Sequence, residues 1–202
     1  MLRRAVDLAV SFVLLAALSP LLLLAGLLVR LDSRGPALFR QTRVGKDGVP
    51  FTMYKFRTMR VATGAQPVTL GGRRDDRVTR LGRFLRASKI DELPQLLNVL
   101  RGEMTLIGPR AETPNFVEHF TPGQRKVLSV KPGLTGPGQI LYTTTQAVQL
   151  EGAEDANRLY IEKILPEKLE WDLEYIRTRS VAGDLAILGR TLLVVLTLGR
   201  RG

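Results

Sequence analysis

Residues 8–29 read LAVSFVLLAALSPLLLLAGLLV, a run without one charged side chain. As a helix rising about 1.5 Å per residue it reaches roughly 30 Å, the thickness of one hydrocarbon core. A cleaved signal sequence has a shorter apolar core of about 7–15 residues and a small-residue cleavage site, so the length argues against one. Ser19 and Pro20 sit at the midpoint. Proline removes a helical N–H and its ring crowds the carbonyl four residues back, which predicts a kink or break there. The Ser19 hydroxyl can bond back to a freed carbonyl. Arg3 and Arg4 precede the run, and Arg30 and Arg34 follow it. Basic flanks favour the cytoplasmic side. A segment that enters one leaflet and returns satisfies both flanks. On these residues alone that hairpin and a simple spanning helix remain level.

Working outward, the chain has 202 residues, with 30 Lys plus Arg against 19 Asp plus Glu, a formal net charge of +11. Hydrophobic residues make up 45%, which excludes a disordered basic tail. With no Cys, disulfides, thiolate metal sites and Cys nucleophiles are ruled out. His119 is the single histidine, so an HExxH site is ruled out too. Chemistry must rest on carboxylates, Arg, Lys and backbone amides. A second apolar stretch, 185–198, is interrupted by Arg190 and followed by Arg200 and Arg201. It is too short and too charged for a span and reads as an interfacial helix on anionic lipid, with a core helix as the plain alternative. A membrane-anchored nucleic-acid-binding module is the rival account of the basic charge. Aromatics are only 6% and nucleic-acid motifs are lacking, so no nucleic-acid partner is expected.

Between the apolar stretches, residues 36–59 alternate as a β-hairpin around Gly45-Lys46-Asp47-Gly48, and 61–77 read as a Gly/Arg-rich loop. Leu81, Phe84 and Leu85 mark one face of a short helix. Leu93, Leu96, Leu97 and Leu100 share the face of a second, with Pro94 in its first turn and Gly102 as its stop. Asp91 and Glu92 then fall at that helix N-terminus. Residues 107–110 and 131–139 are Gly/Pro loops, and 151–180 form an amphipathic helix with Trp171 and Tyr175 on one face.

The Asp91-Glu92 pair has two readings. Acids at a helix N-terminus are ordinary caps, stabilised by the macrodipole. Beside Arg86 and Lys89 they are also a candidate carboxylate nucleophile or metal ligand, next to amides that bind anions. Arg110 in one loop and Lys131 at the other are cations where phosphate oxygens could be gathered. Lys55 and Arg57 alternate on a strand.

Several blocks together carry more. DRVTRLGRFLR at 76–86, DELPQL at 91–96, NVL at 98–100 and MTLIGPR at 104–110 strongly resemble the bacterial sugar transferases. KFRTM at 55–59 and KPGLTG at 131–136 also look like blocks of that family. These are monotopic polyprenyl-phosphate phosphoglycosyl transferases, and the resemblance covers almost the whole chain. Two departures stand out: Ala111 replaces the final Pro of Gly-Pro-Arg-Pro, and the segment after Gln139 lacks Asn-Gly-Arg.

The resemblance implies a mostly helical α+β fold. A re-entrant helix–break–helix over 1–30 carries Ser19 and Pro20, and 31–202 form one cytosolic catalytic domain with a small β-hairpin and interfacial helices. It implies transfer of a phosphosugar from a UDP-sugar to polyprenyl (undecaprenyl) phosphate, releasing UMP, as the first membrane step of exopolysaccharide, lipopolysaccharide or glycoconjugate synthesis. Asp91 would be the nucleophile of a ping-pong route and a ligand of Mg²⁺, and Glu92 its adjoining acid. Arg86, Lys55, Arg57, Arg110 and Lys131 would bind substrate phosphate. Inner-membrane lipids on the cytoplasmic face are expected partners; a homodimer is left open.

Overall fold

The computed structural model describes residues 2–61, 75–150 and 155–198. The chain opens with α1 (Leu2–Asp32), a 31-residue helix. Among the described residues it is the one helix long and apolar enough to cross a membrane. The expected helix–break–helix differs in one respect: helical backbone runs through Pro20 without interruption. The Ser19 hydroxyl donates to the Ala16 carbonyl at 2.8 Å, a bond back to the preceding turn. The less exposed positions of α1 include Asp7, Ser11, Leu15, Leu18, Leu22, Ala25 and Val29. On a wheel of about 100° per residue they form one stripe roughly opposite Pro20. The proline therefore lies on the outer side of the helix.

The hairpin forms where the alternation placed it. Strands β1 (Leu38–Val44) and β2 (Pro50–Phe56) pair antiparallel, Leu38 opposite Phe56 and Val44 opposite Pro50. Phe56 packs with Ala25 and Val29 of α1 and with Leu85, joining the long apolar helix to the domain. Leu85 belongs to α2 (Arg80–Ala87), capped by the Thr79 hydroxyl, which accepts from Gly82 N–H at 2.9 Å. Phe84, expected beside Leu85, points outward.

The acid segment is not the first turn of a proline-started α-helix. Ile90–Gln95 form a 3₁₀ turn containing Pro94, and α3 (Leu96–Arg101) starts only after it. Proline has no N–H to give, and the tighter turn accommodates it between the two elements. The buried face of α3 is Leu96 and Val99 with Asn98, while Leu97 is exposed. Asn98 bonds across to the hairpin, donating to the Thr52 carbonyl at 2.7 Å and accepting from Tyr54 N–H at 3.2 Å. Gly102 ends α3 in the left-handed region (φ 83), where a side chain would be strained. The two Gly/Pro loops turn out to be neighbours, because β3 (Thr105–Ile107) pairs in parallel with β4 (Gly133–Thr135). A Cβ at Gly133 would sit 2.1 Å from Gly108 N, so this contact demands glycine.

Short helices α4 (Pro114–Val117), α5 (Pro137–Leu141) and α6 (Ala156–Leu159) lead to α7 (Leu165–Thr178). A core of Val117, Phe120, Ile164, Leu165 and Leu169 gathers around α7. Trp171 and Tyr175 both lie on α7, four residues apart as expected, with Trp171 exposed and Tyr175 buried. The last helix, α8 (Val181–Leu198), exposes Leu185, Leu192, Leu193 and Leu196, which rules out the core-helix alternative. Most of the expected 61–77 loop (62–74), the start of the 151–180 helix (151–154), and Arg200 and Arg201 lie outside the described residues.

Candidate active site

The tight turn at 90–95 lifts Asp91 and Glu92 to the junction of the hairpin, α2 and the two Gly/Pro loops. Lys89, just before it, adopts a left-handed backbone (φ 59), uncommon for a residue with a side chain. Asp91 is buried, 6% exposed, and its Oδ1 has no hydrogen-bond partner. Burial pushes its carboxyl up to about 6, and the neighbouring Glu92 charge adds to the rise; Lys89, Lys55 and Arg86 act in the opposite sense.

Glu92 is held differently. Arg110 Nη2 stands 3.5 Å from Oε1, and Gln139 Nε2 donates to Oε2 at 3.1 Å. Burial favours its neutral form, but the Arg110, Lys89 and Lys55 charges and the Gln139 bond outweigh that and hold its carboxyl well below the usual range. Lys55 is itself pulled down to about 8, by burial first and then by the Arg43 charge. Arg86 is fixed by donating Nε to the Thr58 hydroxyl at 2.8 Å, and burial lowers its guanidinium.

Behind these groups lies a buried polar support. Glu112 accepts from Lys168 Nζ at 2.7 Å and from the Tyr160 hydroxyl at 2.8 Å, and it faces Arg43 at 3.7 Å. Asp172 on α7 accepts from Gly138 N–H at 3.0 Å, and burial raises its carboxyl to about 7. These residues back the Arg110 and Gln139 loops.

The expected site residues divide into two groups. Asp91, Glu92, Lys55, Arg86 and Arg110 come together, acting on one another's charges. Arg57 is spent elsewhere: its guanidinium donates to the carbonyls of Val29 at 3.1 Å, Ser33 at 2.7 Å and Arg34, closing the C-terminal end of α1. Lys131 places its amine beside Gly102 and the Arg4 guanidinium, at the end of α3. Ser19 and Pro20 stay in the apolar helix. Gln139 is the participant that the sequence did not single out; it sat unmarked in a Gly/Pro loop. Among the described residues no three His, Asp or Glu side chains cluster to hold a metal ion. A cation here would rest on Asp91 and on oxygens brought by a substrate.

Comparison with known proteins gives a consistent picture. A family model described as bacterial sugar transferase matches residues 1–198. The chain is 42% identical over 200 residues to a UDP-glucose:undecaprenyl-phosphate glucose-1-phosphate transferase of Caulobacter vibrioides, covering 96% of this chain and 70% of that protein. It is 39% identical over 198 residues to the protein of the same name from Escherichia coli, covering 95% of this chain but 39% of the relative. It is 37% identical over 210 residues to the exopolysaccharide production protein PSS of Rhizobium leguminosarum, covering 98% and 97%.

Proposed function

The chain belongs to the bacterial sugar transferase family, and from that premise we propose that it moves a phosphosugar from a UDP-sugar to undecaprenyl phosphate, releasing UMP. The observation that carries this reading is the contrast between two adjacent acids. Asp91 is buried with an oxygen unpaired, while both oxygens of Glu92 are held. An unpaired buried carboxylate among cations has what a nucleophile toward a diphosphate needs. The names of the Caulobacter and Escherichia relatives supply the donor and acceptor classes.

In this scheme an Asp91 oxygen attacks the sugar-linked phosphorus. The bond from that phosphorus to the bridging oxygen breaks, its electron pair leaves with UMP, and the phosphosugar stays on Asp91 as an acyl phosphate. A phosphate oxygen of the lipid then attacks the same phosphorus. The bond to Asp91 breaks and the carboxylate is restored, leaving a lipid diphosphate sugar. No net proton transfer is required, which fits a site whose one histidine, His119, does not enter it. Glu92 stays ionised and orients Arg110 and Gln139, while Arg86, Lys55 and Lys89 offset the phosphate charge. Mg²⁺, when bound, supplies further charge neutralisation on the diphosphate. Asp91 would hold it, and one or two carboxylates plus substrate oxygens is a common Mg²⁺ arrangement.

The same reading places the protein at the cytoplasmic face of the inner membrane, with α1 as a re-entrant hairpin. Support comes from both ends of α1. Arg4 donates to the Val99 carbonyl at 2.6 Å and to Leu100 at 3.0 Å, and Asp7 accepts from the Thr105 hydroxyl at 2.7 Å. At the other end Arg57 holds Val29 and Ser33. Both ends of α1 thus dock on one domain, and Pro20 lies on the outer side of the helix between them. The activity is tested by incubating the purified protein with a panel of UDP-sugars and undecaprenyl phosphate. UMP release with a matching lipid product supports it, and neither product from any sugar overturns it.

A further inference from the structure

A cavity of about 520 Å³ opens between the first half of α1, α8 and the loops around the acid pair. Val6, Val10 and Leu14 of α1 form one wall, and Leu185, Leu188 and Leu192 of α8 the other. Its size is that of a pocket for a small organic ligand, within the usual range of about 300–1,000 Å³. One end is polar, where Lys89, Glu92 and Gln139 form the lining. The groove therefore runs continuously into the candidate active site.

Two contacts fix the walls. Arg3 of α1 pairs with Asp184 of α8 at 3.0 Å, and the Thr191 and Thr135 hydroxyls bond at 2.7 Å, tying α8 to β4. The outward faces of both helices are also apolar, with Leu23, Leu27, Leu193 and Leu196 exposed. Surfaces of that kind belong in lipid rather than water. The groove is thus an apolar channel on the side of the exposed apolar helix faces, with Lys89 beside the already paired Glu92 at its polar end.

Building on the proposed transfer reaction, we propose that this groove seats the isoprenoid tail of the acceptor, with the lipid phosphate at the Lys89 end. An apolar chain carrying one anionic head matches apolar walls that end at Lys89, where the one neighbouring carboxylate of that polar end, Glu92, is already held by Arg110 and Gln139. The placement brings the phosphate to the carboxylate from the membrane side and leaves the hairpin and loop side to the nucleotide. It also makes α8 an acceptor-binding element.

The test uses the full chain in phospholipid nanodiscs with an undecaprenyl phosphate analogue carrying a benzophenone in its tail. Irradiation should give adducts on peptides from residues 6–14 and 185–192. Excess undecaprenyl phosphate should suppress them about tenfold more effectively than the same excess of phosphatidylglycerol. Adducts elsewhere, or equal suppression by both lipids, would mean a bulk lipid surface and overturn the proposal. In parallel, Leu188→Trp and Val10→Trp should fill the groove and raise the acceptor KM about tenfold while the donor KM stays within about twofold. An unchanged acceptor KM in both folded variants also overturns it. Should a variant fail to fold, the adduct map of the unaltered protein decides. Adducts in the groove without transfer from any UDP-sugar would sink the reaction and leave the groove assignment standing. Transfer with adducts elsewhere would do the reverse.

Discussion

Arg110 Nη2 faces Glu92 Oε1 at 3.5 Å, and this pair gives two sequence neighbours opposite characters. With Gln139 on its other oxygen, Glu92 is locked in the charged state. Asp91 is equally enclosed but lacks a donor at Oδ1, so its carboxyl rises instead. The Arg110 loop and the start of α5 carrying Gln139 follow β3 and β4 in the chain, so the division of roles depends on that short parallel pairing.

Replacing Arg110 should therefore act through Glu92. A charge-assisted hydrogen bond contributes about 1.5–3 kcal/mol, equivalent to roughly 10- to 150-fold in rate if all of it is felt in the transition state. Arg110→Ala should lower donor kcat/KM within that range and bring the Glu92 carboxyl up into the titrating region, adding an acidic limb to the pH profile. Arg110→Lys should recover part of the rate. Unchanged kinetics in the alanine variant would remove Arg110 from the site.

The pH dependence of Asp91 has a definite sign. Its folded-state value, about 6, exceeds the ordinary 3.8, so folding favours the protonated acid. Activity that needs the carboxylate should fall as pH drops through about 6. Stability runs the other way: it declines as pH rises from 3.8 to about 6 and stays lower above. Asp91→Asn, a neutral isostere, should remove this penalty and raise stability at pH 7.5 by up to about 3 kcal/mol, with little gain at pH 3.5. Thermal unfolding of both forms at the two pH values checks this; equal melting shifts would contradict it.

Arg57 shows why part of the site was not legible in sequence. Alternation with Lys55 placed both on one strand, and the family block suggested one role for both. Chain direction then separates them: Lys55 lies at the acids, while Arg57, just past the end of β2, reaches three carbonyls at the end of α1. A helix C-terminus is a partner that no local pattern marks. Asp91 and Glu92, by contrast, stood out as acids among cations, and the hairpin was visible in its alternation. Gln139 and Asp172 acquire meaning only through contacts with residues far away in sequence, Glu92 and Gly138.

It follows that Arg57→Ala should behave as a structural variant. Arg57 is 6% exposed, and its loss strands three carbonyls at the end of α1. The expected destabilisation is about 2–4 kcal/mol, with donor KM within about twofold in the folded fraction. Unfolding in detergent and kinetics of the folded protein separate the outcomes. A large donor KM change at wild-type stability would return Arg57 to phosphate binding.

Topology gives a prediction at Pro20. Arg4 and Arg57 hold opposite ends of α1 to one domain, so residue 2 should share the cytoplasmic side with everything after α1. A cysteine placed at position 2 should resist a membrane-impermeant thiol reagent in intact cells and react after permeabilisation. Pro20→Leu restores an N–H and removes the ring, so it should favour a straight helix. A fraction of that variant should then label from outside. Labelling of the unaltered helix in intact cells would establish a span.

The chemistry converges on Asp91→Asn. Asn keeps the size of Asp, is tolerated in tight turns, and removes the penalty of burying a charge, so the variant should fold at least as well as the native chain. What it lacks is the nucleophilic oxygen. Exposed to the correct UDP-sugar without lipid acceptor, the native protein should gain the mass of one phosphosugar and release one UMP, and Asp91→Asn should do neither. Adding undecaprenyl phosphate should discharge the adduct and restore the original mass. Glu92→Gln keeps the Asp91 oxygen but no longer balances Arg110, so slower adduct formation is expected rather than none. Removal of Mg²⁺ with a chelator should suppress adduct formation in the native protein. If the native protein makes lipid product at full rate yet never carries the added mass, the lipid phosphate attacks the donor directly and Asp91 serves only to organise charge.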